Sequence, residues 1–238
     1  AVVLQNGPTG GGQIVAQVGG SMGDMYGRGY LRAPDGQIVY DAKTGFAKLS
    51  DNLVYLGNTI PKWKTSMSHD FKYKQFRLNI LFDAQYGAVA YSLTNYKLAE
   101  QGKTTNTLPG RYNGIIGNGV VQNADGTYRK NDVIASDVDG YYRSHYGIDN
   151  AEGNTFSTNF IKFREARLDY TLNPKFSKRL GMQRATVGVY GRNLYIWSNW
   201  PIFDPEFGTL SGSDITQGFE IAQFPSTRTF GFNLVIGL

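Results

Sequence analysis

The stretch KWKTSMSHDFKYKQFRLNILFDAQYG, residues 62–87, alternates apolar and polar side chains with a period of two. Its first half places Trp63 and Met67 in one row, and its second half places an apolar residue at every even position from 76 to 86. The opposite row of the second half includes Arg77 and Asp83. This alternation predicts two β-strands, each with an apolar and a polar face, joined by a turn near Lys74.

The same alternation returns in three later stretches of the chain. These are FIKFREARLDYTL (160–172), ATVGVYGRNLYIW (185–197) and STRTFGFNLVIGL (226–238), and the phase of the first is irregular near 162–164, which indicates a β-bulge. Five strands of roughly ten to thirteen residues are therefore expected, whereas strands of soluble proteins average about five or six. Tilted strands of about ten residues are long enough to cross a bilayer roughly 30 Å thick.

The connections between these strands are alternately short and long. Turns are expected at 74–75 and 173–184, and long loops at 88–157 and 198–225. Short turns at one rim and long loops at the other are typical of outer-membrane barrels, so the predicted fold class is an all-β, antiparallel transmembrane β-barrel. Residues 1–62 are expected to form a glycine-rich strand and loop region of that barrel, and 63–238 its strands and long loops.

A soluble β-sandwich is the alternative, because its strands also alternate where one face packs on a core. Two features favour the barrel: the apolar rows continue for five or six positions, and aromatic residues gather at both strand ends. The barrel predicts lipid-facing side chains at Phe230, Phe232, Leu234, Ile236 and Leu238. It predicts lumen-facing side chains at Arg77, Asp83, Gln85, Glu165, Arg167 and Asp169.

The composition argues against several other classes of protein. The chain has no cysteine and only two histidines, so neither a thiolate nor a multi-histidine metal site is expected. We find no nucleophile–base–orienter set, and expect no catalytic residues and no cofactor. The net charge of +5 is scattered along the chain, which does not favour nucleic-acid binding. No secretory signal peptide and no apolar run of transmembrane-helix length is recognisable.

Specific motifs then follow one another along most of the chain. They include YLGNTIPKWKTSMSHDFKYKQFRLNILFDAQYGAVAYSLT (55–94), NTLPGRYNGIIGNGVV (106–121), GRNLYIWSNWPIFDPEFGTLSGS (191–213) and GFEIAQFPSTRTFGFNL (218–234). A further motif is YYRSHYGIDNAEGNTFSTNFIKFREARLDYTL (141–172). Taken in order, these motifs resemble the C-terminal barrel segment of SusC-like TonB-dependent transporters. One departure is Leu238, where such barrels usually end on an aromatic residue.

The resemblance implies a 22-stranded barrel with a plug domain, of which no part is recognisable here. It also implies a SusD-like surface lipoprotein as a lid, energy supplied through TonB, and import of oligosaccharides or peptides across the outer membrane of a Gram-negative bacterium. The long loops 88–157 and 198–225 would lie outside the cell. A passive porin and a non-transporting carbohydrate-binding module are the alternative functions.

Two aromatic loop segments are candidates for contact with a ligand or with the lid. Flat aromatic rings offer a large contact area at low entropic cost, which suits sugar stacking or a protein interface. Interior loop packing would use the same residue types, and for these residues both interpretations are open. The candidates are Trp200, Phe203 and Phe207 in one segment and Tyr141, Tyr142 and His145 in the other.

Overall fold

The computed structural model describes residues 1–207 and 217–237. Within them the chain forms two compact units. Unit 1 comprises 1–60, 88–157 and 206–223, and unit 2 comprises 61–87, 158–205 and 224–238, each within the described ranges. Leu238, one of the predicted lipid-facing residues, lies outside the described residues.

Strands dominate the described secondary structure, with three α-helices and three short 3₁₀ turns between them. The helices are α1 Leu93–Glu100, α2 Val138–Tyr146 and α3 Pro174–Arg179, and the 3₁₀ turns are Pro8–Gly10, Thr105–Thr107 and Glu152–Asn154. The strands are β1 Val2–Asn6, β2 Gln13–Ala16, β3 Asp24–Tyr30, β4 Val39–Tyr40, β5 Leu49–Asn58, β6 Trp63–Tyr73, β7 Phe76–Tyr86, β8 Val89–Ser92, β9 Val120–Gln122, β10 Tyr128–Lys130, β11 Thr155–Ser157, β12 Phe160–Thr171, β13 Arg184–Ser198, β14 Phe219–Glu220 and β15 Thr229–Gly237.

Unit 1 contains three small sheets and three clusters of buried apolar side chains. The sheets have the strand orders β1-β2-β3-β5, β10-β9-β4 and β11-β8-β14. The largest cluster includes Tyr40, Val121 and Tyr141, and a second joins Ile14 and Tyr91 with side chains distant in sequence. Segments from three separate parts of the chain therefore pack as one body with its own core.

Buried polar side chains also connect these segments. Glu220, which is buried, accepts hydrogen bonds from Ser92 Oγ (2.7 Å), Thr94 N (3.1 Å), Thr94 Oγ1 (2.6 Å) and Gln223 N (3.1 Å). Asn95 Nδ2 donates to Asn154 Oδ1 at 2.9 Å. A buried carboxylate is stable only when its oxygens are hydrogen-bonded, so Glu220 fixes β14 to the beginning of α1.

Unit 2 is built on one five-stranded antiparallel sheet in the order β15-β13-β12-β7-β6. The register pairs Leu168 with Leu78 on one side and with Val189 on the other, so that side chains of one kind stay in one row across the sheet. Because consecutive residues of a strand point to opposite faces, this register separates an apolar face from a polar face.

The five long strands predicted from alternation are these five strands, and the predicted turn near Lys74 is confirmed, with Lys74 in the left-handed region at φ 52°. The bulge is confirmed at Arg164, where the pairing shifts between Phe163 and Glu165. The connection 173–184 is more than a turn, because it contains α3, whose N-terminus is capped by Asn173.

The long stretch 88–157 is more ordered than its irregular sequence indicated. It carries α1, α2 and four short strands, whereas the sequence predicted only a long loop. Asp137 and Asp139 stand at the start of α2: Asp137 accepts a hydrogen bond from Gly140 N and Asp139 pairs with Arg143. Each helix among the described residues is too short or too polar to span a membrane.

Candidate membrane-facing and lumen-facing surfaces

The apolar face of the sheet is exposed, although its side chains are large and hydrophobic. On β15 the exposed fraction is 70% for Phe230 and 83% for Phe232, and Leu234 and Ile236 are also exposed. The same face continues across β13, β12, β7 and β6 with further exposed side chains, among them Val187, Val189, Leu168, Leu78, Phe71 and Met67. A contiguous apolar surface of this extent marks contact with a membrane or a partner.

Aromatic pairs lie near both ends of the apolar face. Near the ends that lead to the long connections, Trp63 stacks on Tyr86 with ring centroids 5.7 Å apart, and Tyr195 lies 4.6 Å from Trp197. At the opposite ends Phe76 lies 4.9 Å from Tyr170. Two such rows are what the interfacial regions of a bilayer favour in barrel proteins.

The polar face carries a ladder of ion pairs. Arg167 Nε lies 2.8 Å from Asp169 Oδ2, and Arg192 Nε lies 2.8 Å from Glu165 Oε2. Asp83, which also accepts from Ser66 Oγ, pairs with Arg164. All the predicted lumen-facing residues belong to this row of the sheet register, so the structure places them on one face.

Two further predicted lumen-facing residues make neighbouring contacts in the same row. Arg77 Nη2 lies 2.6 Å from Asp70 Oδ2 on the adjacent strand. Gln85 is buried and its Nε2 donates to Thr158 Oγ1 at 2.9 Å. Gly188 allows Asp169 its position, because a Cβ at 188 would clash with that carboxylate. Whether these groups meet water in a lumen stays a prediction.

A cluster of ring side chains in unit 1 contains three of the predicted contact residues. Tyr30 Oη lies 3.1 Å from His145 Nδ1, and Tyr40 Oη lies 3.4 Å from His145 Nε2. Tyr141 stacks parallel to Tyr40 and is 6% exposed. Burial lowers the pKa of His145 to about 4 and raises the pKa of Tyr30 above its ordinary value. His145 is therefore neutral near pH 7.

Within this cluster, Tyr141 and His145 pack inside unit 1. Tyr142 is also buried and donates from its hydroxyl to Pro109 O at 2.9 Å, but it lines a cavity of about 460 Å³ together with Glu100 and Arg111. The structure brings these three residues together, with Tyr142 beside open space. Their contact with a ligand or a lid stays a prediction.

The second predicted aromatic group is divided between different environments. Trp200 is buried, and its backbone N–H donates to Ser198 Oγ at 3.1 Å. Phe203 is exposed and adopts a left-handed conformation with φ 58°. Phe207 is partly buried and belongs to unit 1, whereas Trp200 and Phe203 belong to unit 2. A sugar or lid contact by these rings likewise stays a prediction.

Sequence reasoning missed the buried ion pair between Lys162 and Asp204. Lys162 Nζ lies 2.6 Å from Asp204 Oδ1, and the side chains are only 6% and 11% exposed. The pair joins β12 to the segment that follows β13. Alternation alone gives no signal for it, because Lys162 lies beside the bulge and Asp204 lies in a loop.

The chain is similar in sequence to parts of known proteins. No protein-family model matches the sequence. The chain is 24% identical over 207 residues to the TonB-dependent receptor P3 of Formosa agariphila, covering 84% of this chain and 19% of that protein. It is 32% identical over 77 residues to the TonB-dependent receptor P26 of the same organism, covering 31% of this chain and 8% of that protein.

Solved structures share the fold of the chain. A RagAB peptide transporter chain aligns with a TM-score of 0.58 and 15% identity, over 90% of this chain and 22% of that chain. The RagAB peptide importer in its open-open state aligns with a TM-score of 0.55 and 13% identity, also over 90% of this chain and 22% of that chain. The chain thus spans about a fifth of the first of these relatives and of these structures.

The named relatives are receptors and importers. Its sheet is mostly antiparallel and corresponds to part of a transporter barrel. Sequence similarity and fold together support the resemblance found in the motifs: the chain is similar to a part of TonB-dependent receptors and shares the fold of a part of transporter structures.

Proposed function

We propose that this chain is the C-terminal part of an outer-membrane transporter that imports nutrients into a Gram-negative bacterium. The observation that carries the proposal is the two-faced sheet of unit 2, with exposed rows of Phe, Leu, Val and Ile on one side and paired charges on the other. In water the apolar rows would be costly, at roughly 25 cal/mol for each Å² left exposed. In a bilayer the same rows meet lipid, and the paired charges meet a polar lumen.

The connectivity of the sheet supports one direction of insertion. One edge of the sheet holds five strand ends, because neighbouring strands are antiparallel. They are the start of β6, the end of β7, the start of β12, the end of β13 and the start of β15. Every connection to a segment of unit 1 leaves from that edge, and the opposite edge carries the short connections. Outer-membrane barrels keep short turns on the periplasmic side, so we assign the long connections 88–157 and 198–225 to the cell exterior.

The finer features of the function follow from the resemblance. We assign a SusD-like surface lipoprotein as the partner, TonB as the source of energy acting on a part of the protein outside this chain, and oligosaccharides or peptides as substrates. The RagAB structures are of a peptide importer, which supports the peptide class. The expected 22-strand closure would supply the neighbours that β6 and β15 need, since an open strand edge in lipid leaves backbone groups unpaired.

Two experiments distinguish this function from its alternatives. The full-length protein in cells should support uptake that stops when a protonophore collapses the inner-membrane proton gradient, whereas a passive porin would continue to admit the solute. Pull-down from solubilised outer membranes should recover a lipoprotein at a constant ratio. A carbohydrate-binding β-sandwich would instead be recovered in buffer without detergent, and that result would overturn the proposal.

A further inference from the structure

Charged residues are divided unequally between the two edges of the five-stranded sheet. At the edge with the short connections, the segments 72–75 and 172–184 carry six Lys or Arg residues and no Asp or Glu. The six are Lys72, Lys74, Lys175, Lys178, Arg179 and Arg184. The long connections at the other edge, 88–157 and 198–225, carry six Lys or Arg and eleven Asp or Glu. The edge with the short connections is therefore the basic one.

The fold of unit 2 brings the two basic segments to one place. Thr171 N donates to Gln75 O at 2.9 Å, so the end of β12 lies beside the turn between β6 and β7. Gln183 N donates to Gly237 O at 2.9 Å, so the start of β13 lies beside the end of β15. Cations from separate parts of the chain thus share one surface, and we call these six residues the basic rim.

The charges of the basic rim are not neutralised by neighbouring carboxylates. None of its six cations forms an ion pair within residues 1–207 and 217–237. The nearby carboxylate of Asp70 already pairs with Arg77, outside the rim. Lys178 and Arg179 lie in the last turn of α3, where the helix dipole favours cations, but the dipole does not account for the other four.

Large apolar side chains lie among these cations. Phe176 and Leu180 are 53% and 57% exposed, whereas Ser177 between them is buried. Residues four apart lie on the same side of a helical turn, so α3 and its C-cap display two apolar groups together. Tyr73, at this end of the apolar face, is exposed as well, and Lys74 Nζ lies 5.2 Å from the centroid of its ring. The basic rim is therefore continuous with the apolar face.

We propose that the basic rim binds the headgroups of anionic phospholipids in the leaflet of the outer membrane that borders the periplasm. Phe176 and Leu180 enter the interfacial region, and the ammonium and guanidinium groups of the rim contact the lipid phosphates. Several Lys and Arg residues beside a membrane-spanning segment attract anionic lipid, because they lie within its negative surface potential. An acidic protein surface fits less well, because the rim borders the lipid-facing rows and carries exposed apolar groups.

This inference rests on the proposed function, because it needs the sheet to span the outer membrane with its short connections in the periplasm. The test uses the full-length protein, cleared of other cysteines, in phosphatidylcholine vesicles that contain phosphatidylglycerol. A bimane label on Phe176→Cys takes the place of the phenyl ring, and either lipid is supplied in brominated form as a quencher. Because bromine quenches only at short range, the two quenching curves give the preference for phosphatidylglycerol at this position.

The labelled protein should prefer phosphatidylglycerol over phosphatidylcholine by about fivefold or more. The triple variant Lys175→Gln, Lys178→Gln, Arg179→Gln should lower this preference to about one. Salt at about 1 M should lower it in the unmutated rim as well, because salt screens exposed charges. The salt arm tests the same charges without any substitution.

Two controls are matched to these changes. The triple variant Lys43→Gln, Lys103→Gln, Lys130→Gln removes the same number of exposed charges from unit 1 and should leave the preference at position 176 unchanged. A bimane label on Leu234→Cys, on the apolar face away from the rim, should be quenched equally by both lipids.

Equal quenching by both lipids at position 176 would overturn the inference, since something other than anionic lipid would then cover the rim. A preference that persists in the rim variant, or that the unit 1 variant also loses, would overturn it too. The label at position 234 separates this failure from that of the proposed function. If only position 234 behaves as expected, the rim inference alone fails; if neither position is quenched by lipid, the proposed function fails as well.

Discussion

The two units of this chain place their apolar side chains in opposite ways. The three clusters of buried apolar residues all lie in unit 1, where Ile14, Met25 and Tyr91 are fully enclosed. In unit 2 the large apolar side chains of the sheet, such as Phe232, point outward. An enclosed apolar core is typical of folding in water, whereas exposed apolar rows on one sheet face are typical of contact with lipid.

This difference assigns a solvent to each unit from the same physical rule. Apolar side chains avoid water, so a unit that buries them is built for water, and one that displays them in rows is built for lipid. The polar groups follow the same division. In unit 1 the buried carboxylate of Glu220 accepts hydrogen bonds that join separate segments of the chain. In unit 2 the ion pairs lie on the face opposite the apolar rows.

The largest effect is expected from a charge placed on the apolar face. Leu234→Arg in the full-length protein should destabilise the folded barrel by about 2–4 kcal/mol if Leu234 lies near the middle of the bilayer. The measurement is reversible urea unfolding in lipid vesicles, with heat-modifiable gel mobility as a check of assembly. Val235→Arg is the matched control, because Val235 is the next residue along the strand and lies on the opposite face. Equal losses for both variants would contradict the assignment of faces.

In unit 1 the corresponding test removes a buried carboxylate. Glu220→Gln replaces one carboxylate oxygen by an NH2 group, which sets donor against donor at one backbone N–H and removes the negative charge that the other donors bind. We expect a local loss of about 1–3 kcal/mol, read as faster hydrogen exchange in α1 and around β14. Asp149→Asn changes an exposed carboxylate of the same unit and should leave the exchange rates unchanged. If the two variants exchange alike, Glu220 does not hold these segments together.

The buried histidine gives unit 1 a dependence on pH. The folded pKa of His145 is about 4, below its ordinary value of 6.5, because burial disfavours the charged ring. Stability is therefore fully present above pH 6.5 and is lost as the pH falls toward 4, since the unfolded state binds the proton more readily. At pH 5 the loss is about 2 kcal/mol. Hydrogen exchange of α2 amides at pH 7.5 and pH 5 measures it.

The two histidines of the chain supply the control for this measurement. His145→Asn should weaken unit 1 at pH 7.5 but remove most of the additional loss between pH 7.5 and pH 5. His69→Asn, on the exposed strand β6 of unit 2, should leave the pH dependence of α2 unchanged. A pH dependence that survives His145→Asn would assign the effect to another group.

The smallest effect is expected on the polar face. The Arg192 and Glu165 side chains are 62% and 25% exposed, so their ion pair is partly screened by solvent. Arg192→Gln should cost less than about 1 kcal/mol in the unfolding experiment used for Leu234→Arg. A loss as large as that of Leu234→Arg would mean that the polar face is buried and does not line a wet lumen.

The sheet of unit 2 could be predicted from the sequence because one physical signal, alternation, extends along all five strands. Arg164 could be located as a bulge because it breaks that signal. Unit 1 could not be predicted in the same way, because its strands are two to ten residues long and its segments meet through contacts such as Glu220 with Ser92, 128 residues apart. Long-range polar contacts leave no periodic trace in a sequence.

The candidate site residues could likewise be predicted only where strand alternation determines their position. The row containing Arg77, Glu165 and Asp169 was found because a strand dictates which face a side chain occupies. The buried Lys162–Asp204 ion pair was not found, because it depends on how a loop that follows β13 approaches the bulge. Aromatic residues in loops, such as Tyr141 and Trp200, gave an ambiguous signal, since the same rings serve packing and recognition.

The central claim is that unit 2 faces lipid on one side and an aqueous lumen on the other, and labelling along β15 tests it most directly. The 238 residues contain no cysteine, so single cysteines can be introduced from Phe230 to Ile236 in a full-length protein cleared of other cysteines, spin-labelled and reconstituted in lipid vesicles. Collisions with oxygen should be frequent at Phe230, Phe232, Leu234 and Ile236, and collisions with a water-soluble nickel chelate should be frequent at the residues between them. Equal access of the chelate to both rows would contradict the account.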